Sequence, residues 1–242
     1  MTAGPDRPDT RYALYFRPPD DDPLTRAADR WLGRSPVPDA PLPPPPGGID
    51  PIVWKEWTAG PRGYGFHATL KPPFRLAPET DRHGLETAVA AFASARRSFE
   101  LPGLTLRRIG RFLALGLEAP TGEMNKLADD CVRALDAFRA PPTAPELAKR
   151  RAAALNARQE EYLARSGYPY ILEEFRFHMT LTGALDPSAL DEAEEFLSGY
   201  LGNLPGRPIA VRDLCLFRQH EHGAPFSLAR RVPFGSGERV NE

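Results

Sequence analysis

Two tetrapeptides in this chain carry the same chemistry: His67-Ala68-Thr69-Leu70 and His178-Met179-Thr180-Leu181 each set an imidazole two residues before a hydroxyl. In a strand, alternate side chains share a face, so His67 projects with Thr69 and His178 with Thr180. Related by a pseudo-twofold axis, the four would form an acid/base pair with two hydrogen-bond donors. Extending the alternation adds Lys71 to the first face and Arg176 and Thr182 to the second, a positive, donor-rich cleft that suits phosphate. Opening a cyclic phosphodiester needs a base for water, an acid for the departing alkoxide and donors for the nonbridging oxygens. These residues supply all three without a metal. One of the five histidines before a threonine and an apolar residue would be an ordinary half-buried strand, whereas recurrence at equivalent places in two repeats points to chemistry.

The elements that must position them also recur. The first unit, 65–118, reads as a strand (Gly65 to Lys71), a helix from Gly84 to Arg97, and a hairpin of Leu104 to Arg108 with Phe112 to Leu117, whose Leu113, Leu115 and Leu117 alternate onto one face. The second unit, 174–231, repeats the order: a strand (Glu174 to Thr182), a helix opened by Asp186-Pro187, then strands Ile209 to Phe217 and Phe226 to Arg231. Before them come a strand, Arg11 to Phe16, and a short helix, Pro23 to Arg34. A proline-rich loop, Pro36 to Pro51, has no core of its own. Between the units lie a periodic helix, Glu123 to Arg139, and a basic amphipathic arm, 144–165. The expected fold is α+β: one bilobal domain over 1–242, built from duplicated strand-helix-strand-strand units, with two antiparallel sheets around a central cleft and helices outside.

The 242 residues carry 31 Lys+Arg against 32 Asp+Glu, a net charge of −1. That balance gives no footprint for an extended nucleic-acid surface. With 41% hydrophobic and 26% charged residues, the composition is that of a soluble globular chain. No stretch reaches the roughly 18 apolar residues of a membrane helix, and MTAGPDRPDT lacks the apolar centre of a secretion signal. A cytoplasmic protein without membrane contact is expected. Cys131 and Cys215 have no CxxC or CxH companion and read as core fillers.

The segments RYALYFRPP, YGFHATLKPPFRL and GYPYILEEFRFHMTLTG, with the double H-x-T-L motif, resemble the two-histidine (2H) phosphoesterase superfamily, in the branch associated with phosphonate-metabolism operons. The similarity runs from Arg11 to Phe234. The resemblance implies a metal-independent phosphodiesterase with no cofactor, in which His67 and His178 are catalytic and Thr69 and Thr180 bind phosphate. It also implies a small cyclic phosphate as substrate, and the operon association points to 5-phosphoribosyl 1,2-cyclic phosphate. RNA ends bearing a 2′,3′-cyclic phosphate, and a noncatalytic phosphate sensor, are the competing readings.

Other residues have weaker claims. Lys71 and Arg176 are candidate phosphate ligands; Tyr12, Tyr168, Tyr170 and Thr182 are candidate cleft-lining residues. Lys149, Arg150, Arg151, Arg158 and Arg165 form either a solvated helix face or, if the arm folds over the cleft, a site for a second phosphate. His220 and His222 lack a third metal ligand and read as turn residues.

Overall fold

A computed structural model describes residues 6–7, 9–41 and 43–235 of the chain. Most of the opening decapeptide read above for a signal lies outside them. Strand β1 (Arg11–Phe16) turns Tyr12, Leu14 and Phe16 into the main core and Ala13 and Tyr15 to the opposite face. Helix α1 (Pro23–Leu32) starts at Asp22, whose side chain accepts the Leu24 amide, and stops at Gly33 in the left-handed region. Helix α2 (Pro51–Arg62), capped by Asp50, follows the proline-rich loop.

The first unit then supplies β2 (Ala68–Arg75), α3 (Arg82–Ser94), β3 (Phe99–Leu101), β4 (Thr105–Ile109) and β5 (Phe112–Gly116). The connecting segment holds α4 (Gly122–Ala134), a 3-10 turn over Asp136–Phe138, and the arm as two short helices, α5 (Ala144–Arg151) and α6 (Ala157–Ser166). The second unit gives β6 (His178–Thr180), α7 (Pro187–Leu201), β7 (Ile209–Val211), β8 (Asp213–Gln219) and β9 (Ser227–Pro233).

The fold is α+β with two antiparallel sheets, as the pattern predicts. The large sheet runs β4-β5-β6-β2-β1-β8-β9, and the small one pairs β3 with β7. The two units exchange strands: the β4-β5 hairpin of the first adds to β6 of the second, and β8-β9 of the second reaches β2 through β1. The two motif strands therefore adjoin at the centre of one sheet, where Ala68 pairs with Met179. Those two side chains point into the core with Leu113, Leu115 and residues of α1, α2, α3, α4 and α7. The motif histidines and threonines point to the other face. Among the described residues no helix is long and apolar enough to cross a membrane.

β2 carries two register shifts: Tyr15 pairs with Thr69, Leu14 with Lys71, and Tyr12 with Phe74. Each inserts an extra β2 residue and resets which side chain faces which way. β6 begins only at His178, so in the antiparallel register of Ala68 with Met179 one edge of β2 faces no strand partner beyond Thr69, which accommodates the missing amides of Pro72 and Pro73.

Candidate active site

The Ala68–Met179 pair sets His67 opposite Thr180 and Thr69 opposite His178 in the antiparallel ladder. Directly opposed residues share a face, roughly 5 Å apart at Cβ, so the four side chains form a square on the open side of the sheet. All four are half-buried. The row continues on both sides: Gly116 pairs with His178, and Tyr15 with Thr69. Ala114, opposite Thr180, and Gly116 keep the floor low beside the second motif.

Each imidazole is fixed by the same device. His67 Nδ1 donates to the Gly65 carbonyl at 2.8 Å, and His178 Nδ1 to the Arg176 carbonyl at 2.7 Å. A carbonyl only accepts, so each Nδ1 carries a hydrogen, and Nε2 is the nitrogen left for chemistry. Gly65 has a φ of 78°, and a Cβ there would lie 3.1 Å from Pro36; backbone freedom and close approach both require glycine at the position that orients His67. Further back, Arg17 donates to the Phe66 carbonyl and to Asp29, and Trp31 Nε1 donates to the Leu181 carbonyl at 2.8 Å. Helix α1 thus holds both motif strands.

The two histidines differ beyond this. Tyr15 stacks on His67, with ring centroids 3.7 Å apart, and Phe217 and Tyr64 flank it at 6.2 and 6.1 Å. Burial in this aromatic surround pushes the His67 pKa down to about 4, against the Gly65 hydrogen bond, with the charges of His178 and Arg17 adding to the fall. His67 is therefore neutral at pH 7, and its Nε2 lies 3.2 Å from the Thr69 hydroxyl, which donates to it. His178 has one aromatic neighbour, Phe112, at 6.0 Å.

Other predicted site residues lie elsewhere. Lys71 is in the core: its ammonium, 2% exposed, meets Asp136 at 3.0 Å and the Val132 carbonyl at 3.3 Å. The register shift after Thr69 turns it to the Leu14 side, so strict alternation fails there. Burial pushes its pKa down while Asp136 opposes the change. Thr182 is buried too, accepting the Leu113 amide and donating to the Gly183 carbonyl, because β6 has already ended. Tyr12 faces the main core and donates to Asp6, with burial raising its pKa. Arg176 is exposed, and its backbone, through the His178 contact, is what the site uses. Tyr168 is half-buried and Tyr170 exposed; their rings meet edge to face at 5.6 Å. His220 and His222 are exposed in the β8–β9 turn, and among the described residues no cluster of three possible metal ligands occurs.

Sequence reasoning passed over Tyr15, Tyr64 and Gly65. Tyr15 is legible as the outward residue of β1, but its neighbour depends on the β1–β2 register. The Gly-x-His spacing of Gly65 and His67 was the available signal for the carbonyl brace.

Fold and site define an α+β protein with paired imidazoles and hydroxyls on two adjoining central strands, which agrees with the two-histidine phosphoesterase resemblance of its sequence. Residues 69–227 match the family described as "Protein of unknown function (DUF1045)", and the chain belongs to that family. It is 43% identical over 245 residues to a curated protein of Janthinobacterium sp. (strain Marseille) named ribose 1,5-bisphosphate phosphokinase PhnN, covering 96% of this chain and 52% of that protein. A protein of the same name from Laribacter hongkongensis (strain HLHK9) is 34% identical, covering 92% and 51%. The chain thus spans about half the length of the curated relatives it matches. Among solved structures, E. coli LigT in apo form superposes with a TM-score of 0.44 at 16% identity, over 94% of this chain and 98% of that one.

Proposed function

We propose that the chain is a metal-independent cyclic phosphodiesterase that opens a small sugar cyclic phosphate. The observation that carries this reading is the square of His67, Thr69, His178 and Thr180, with both imidazoles braced through Nδ1 and offering Nε2. Imidazoles and hydroxyls suit phosphate oxygens better than a hard cation, which prefers carboxylates. With substrate bound, the Thr69 hydroxyl turns its hydrogen from His67 Nε2 to one nonbridging oxygen, which frees Nε2, and the Thr180 hydroxyl holds the other. Neutral His67 takes a proton at Nε2 from the attacking water as its oxygen bonds to phosphorus. The ring P–O bond breaks, and the alkoxide receives a proton from His178 Nε2. Proton exchange with solvent then resets both rings.

The substrate that fits best is 5-phosphoribosyl 1,2-cyclic phosphate. Hydrolysis of its P–O2 bond yields ribose 1,5-bisphosphate, the compound in the relatives' printed name. The phosphokinase part of that name we assign to the half of those proteins that this chain does not span. A P-loop kinase needs a glycine-rich loop ending in Gly-Lys-Ser/Thr, and the four lysines here follow Trp54, Leu70, Asn125 and Ala148. The protein acts on a free small molecule, without an extended nucleic-acid or membrane surface, in the cytoplasm.

The test is a phosphorus NMR time course with chelator present, on 5-phosphoribosyl 1,2-cyclic phosphate and on a 2′,3′-cyclic nucleotide. Turnover of the sugar that is lost in the His67→Ala, His178→Ala double variant supports the reading. Turnover of the nucleotide alone transfers it to RNA-end processing, and turnover of neither leaves a phosphate-binding sensor.

A further inference from the structure

Many arginines here are committed to carboxylates: Arg17, Arg75, Arg82, Arg96, Arg108, Arg139, Arg151 and Arg231 all form ion pairs. Four half-buried arginines form no ion pair among the described residues; of these, Arg34 and Arg62 spend guanidinium donors on backbone carbonyls and the Thr58 hydroxyl, which leaves two. Arg150, on α5, lies 4.6 Å from the Tyr168 ring centroid, and Arg11, on β1, lies 5.5 Å from that of Phe226 while donating to the Gln219 side chain. Neither has a carboxylate partner among the described residues. An aromatic face beneath a guanidinium fixes its plane without neutralising it, so its donors stay available for an anion.

Arg11 reaches the histidine site through packed rings, and Arg150 sits one helical turn beyond Glu146, which is held by Arg11's strand neighbour Arg75. Phe226 stacks on Tyr64 at 5.2 Å and lies 6.2 Å from Tyr15, the ring that covers His67. The Tyr15 hydroxyl feels the charges of both Arg11 and Arg150, along with Tyr64 and Tyr168. The arm is attached on the Arg11 side of the site: Arg75, which pairs with Arg11 across β1 and β2, holds Glu146 at the start of α5, and Arg139 donates to the Arg165 carbonyl at the end of α6. Within the arm, Arg151 pairs with Glu160 and Arg165 with Glu161, which leaves Arg150 as its half-buried cation without a counter-ion.

We propose that Arg150 and Arg11 form a second anion subsite beside the His67 half of the square, which binds the phosphomonoester of a substrate whose cyclic phosphate lies over the histidines. This rests on the cyclic phosphodiesterase reading and deepens it: the substrate is a sugar with two phosphate groups, and the arm supplies its specificity. Tyr64 and Tyr168, partly open between the subsites, offer apolar surface to the sugar.

The test compares 5-phosphoribosyl 1,2-cyclic phosphate with ribosyl 1,2-cyclic phosphate, which lacks the monoester. In Arg150→Ala, KM for the first rises roughly ten- to hundredfold, the loss of one charge-assisted contact, while KM for the second moves less than twofold. Arg150→Lys recovers part of the loss. Arg151→Ala, which removes the same charge from the same helix, changes neither KM. Equal effects of Arg150→Ala on both substrates, or none on either, overturn the subsite. Calorimetric titration with ribose 5-phosphate decides the matter independently of turnover: binding to the wild type that disappears in Arg150→Ala supports the subsite even if neither cyclic phosphate is hydrolysed. Equal binding to both overturns it.

Discussion

Acidification of the free protein isolates what the sheet does to His67. Its pKa falls from 6.5 to about 4 because burial against Tyr15, Phe217 and Tyr64 penalises the cation. At roughly 1.4 kcal/mol per decade, that descent corresponds to about 3 kcal/mol. Part of the ring is open to solvent, so about 3 kcal/mol is a ceiling and about 1–2 kcal/mol the expectation. The sign follows from proton counting: between pH 4 and 6.5 the unfolded chain binds a proton at this ring that the native protein refuses. Stability is therefore complete above pH 6.5 and falls as pH descends towards 4. Urea unfolding from pH 7.5 to 4, in wild type and in His67→Gln, measures it: the wild type loses about 1–2 kcal/mol more than the variant across that window. Imidazole proton NMR on the same samples resolves a ring titrating near 4 that is missing from His67→Gln. Inorganic phosphate, an anion beside the ring, should move that titration upwards. A His67 midpoint at or above 6.5, or identical unfolding profiles, would refute the assignment of His67 as the base that is neutral at pH 7.

Single substitutions His67→Ala and His178→Ala should each lower kcat on the cyclic sugar phosphate roughly 10²- to 10⁴-fold, with melting temperature unchanged or raised; a near-wild-type rate in either removes that residue from the chemistry. Lys71→Ala breaks the buried contact with Asp136, which keeps Arg139 as a second partner, and should cost about 2 kcal/mol in urea unfolding. The same variant should leave KM near the wild-type value, whereas a KM raised tenfold at unchanged stability would return Lys71 to the phosphate. Gly65→Ala forces a left-handed backbone onto a side chain pressed against Pro36; it should cost about 1–2 kcal/mol and lower kcat by disturbing the carbonyl that holds His67. Dialysis against chelator should leave kcat unchanged, and restoration of activity by an added divalent cation would contradict the metal-independent mechanism.

What the sequence discloses stops where register begins. Local patterns place β1, the β4–β5 hairpin and α7 close to their observed bounds, because capping, turn chemistry and apolar spacing act within a few residues. Helix α2 escapes notice behind the proline-rich loop, although Asp50, Pro51, Trp54 and Trp57 carry its cap and buried stripe. β6 is three residues long rather than nine, because the chain before it makes a 3-10 turn at Leu172–Glu174 that a run of strand-forming residues does not announce.

The site follows the same division. Two-residue periodicity puts each histidine with its threonine, a property of one strand alone. It cannot put Thr69 beside His178 or Tyr15 beside Thr69, since those neighbours depend on how separate strands align. Lys71 marks the boundary most clearly: it follows the motif in perfect alternation, yet a bulge set by pairing with β1 turns it into the core. The cation that replaces it in the proposed site, Arg150, comes from an inserted arm with no counterpart in the second unit. Duplication thus accounts for the symmetric floor of histidines and threonines. The asymmetric parts, Tyr15 with its aromatic surround and the arm with Arg150, distinguish one imidazole from the other and give the site two ends. A sugar with unlike phosphates at its two ends needs that asymmetry, because a symmetric floor alone would accept a cyclic phosphate in either orientation.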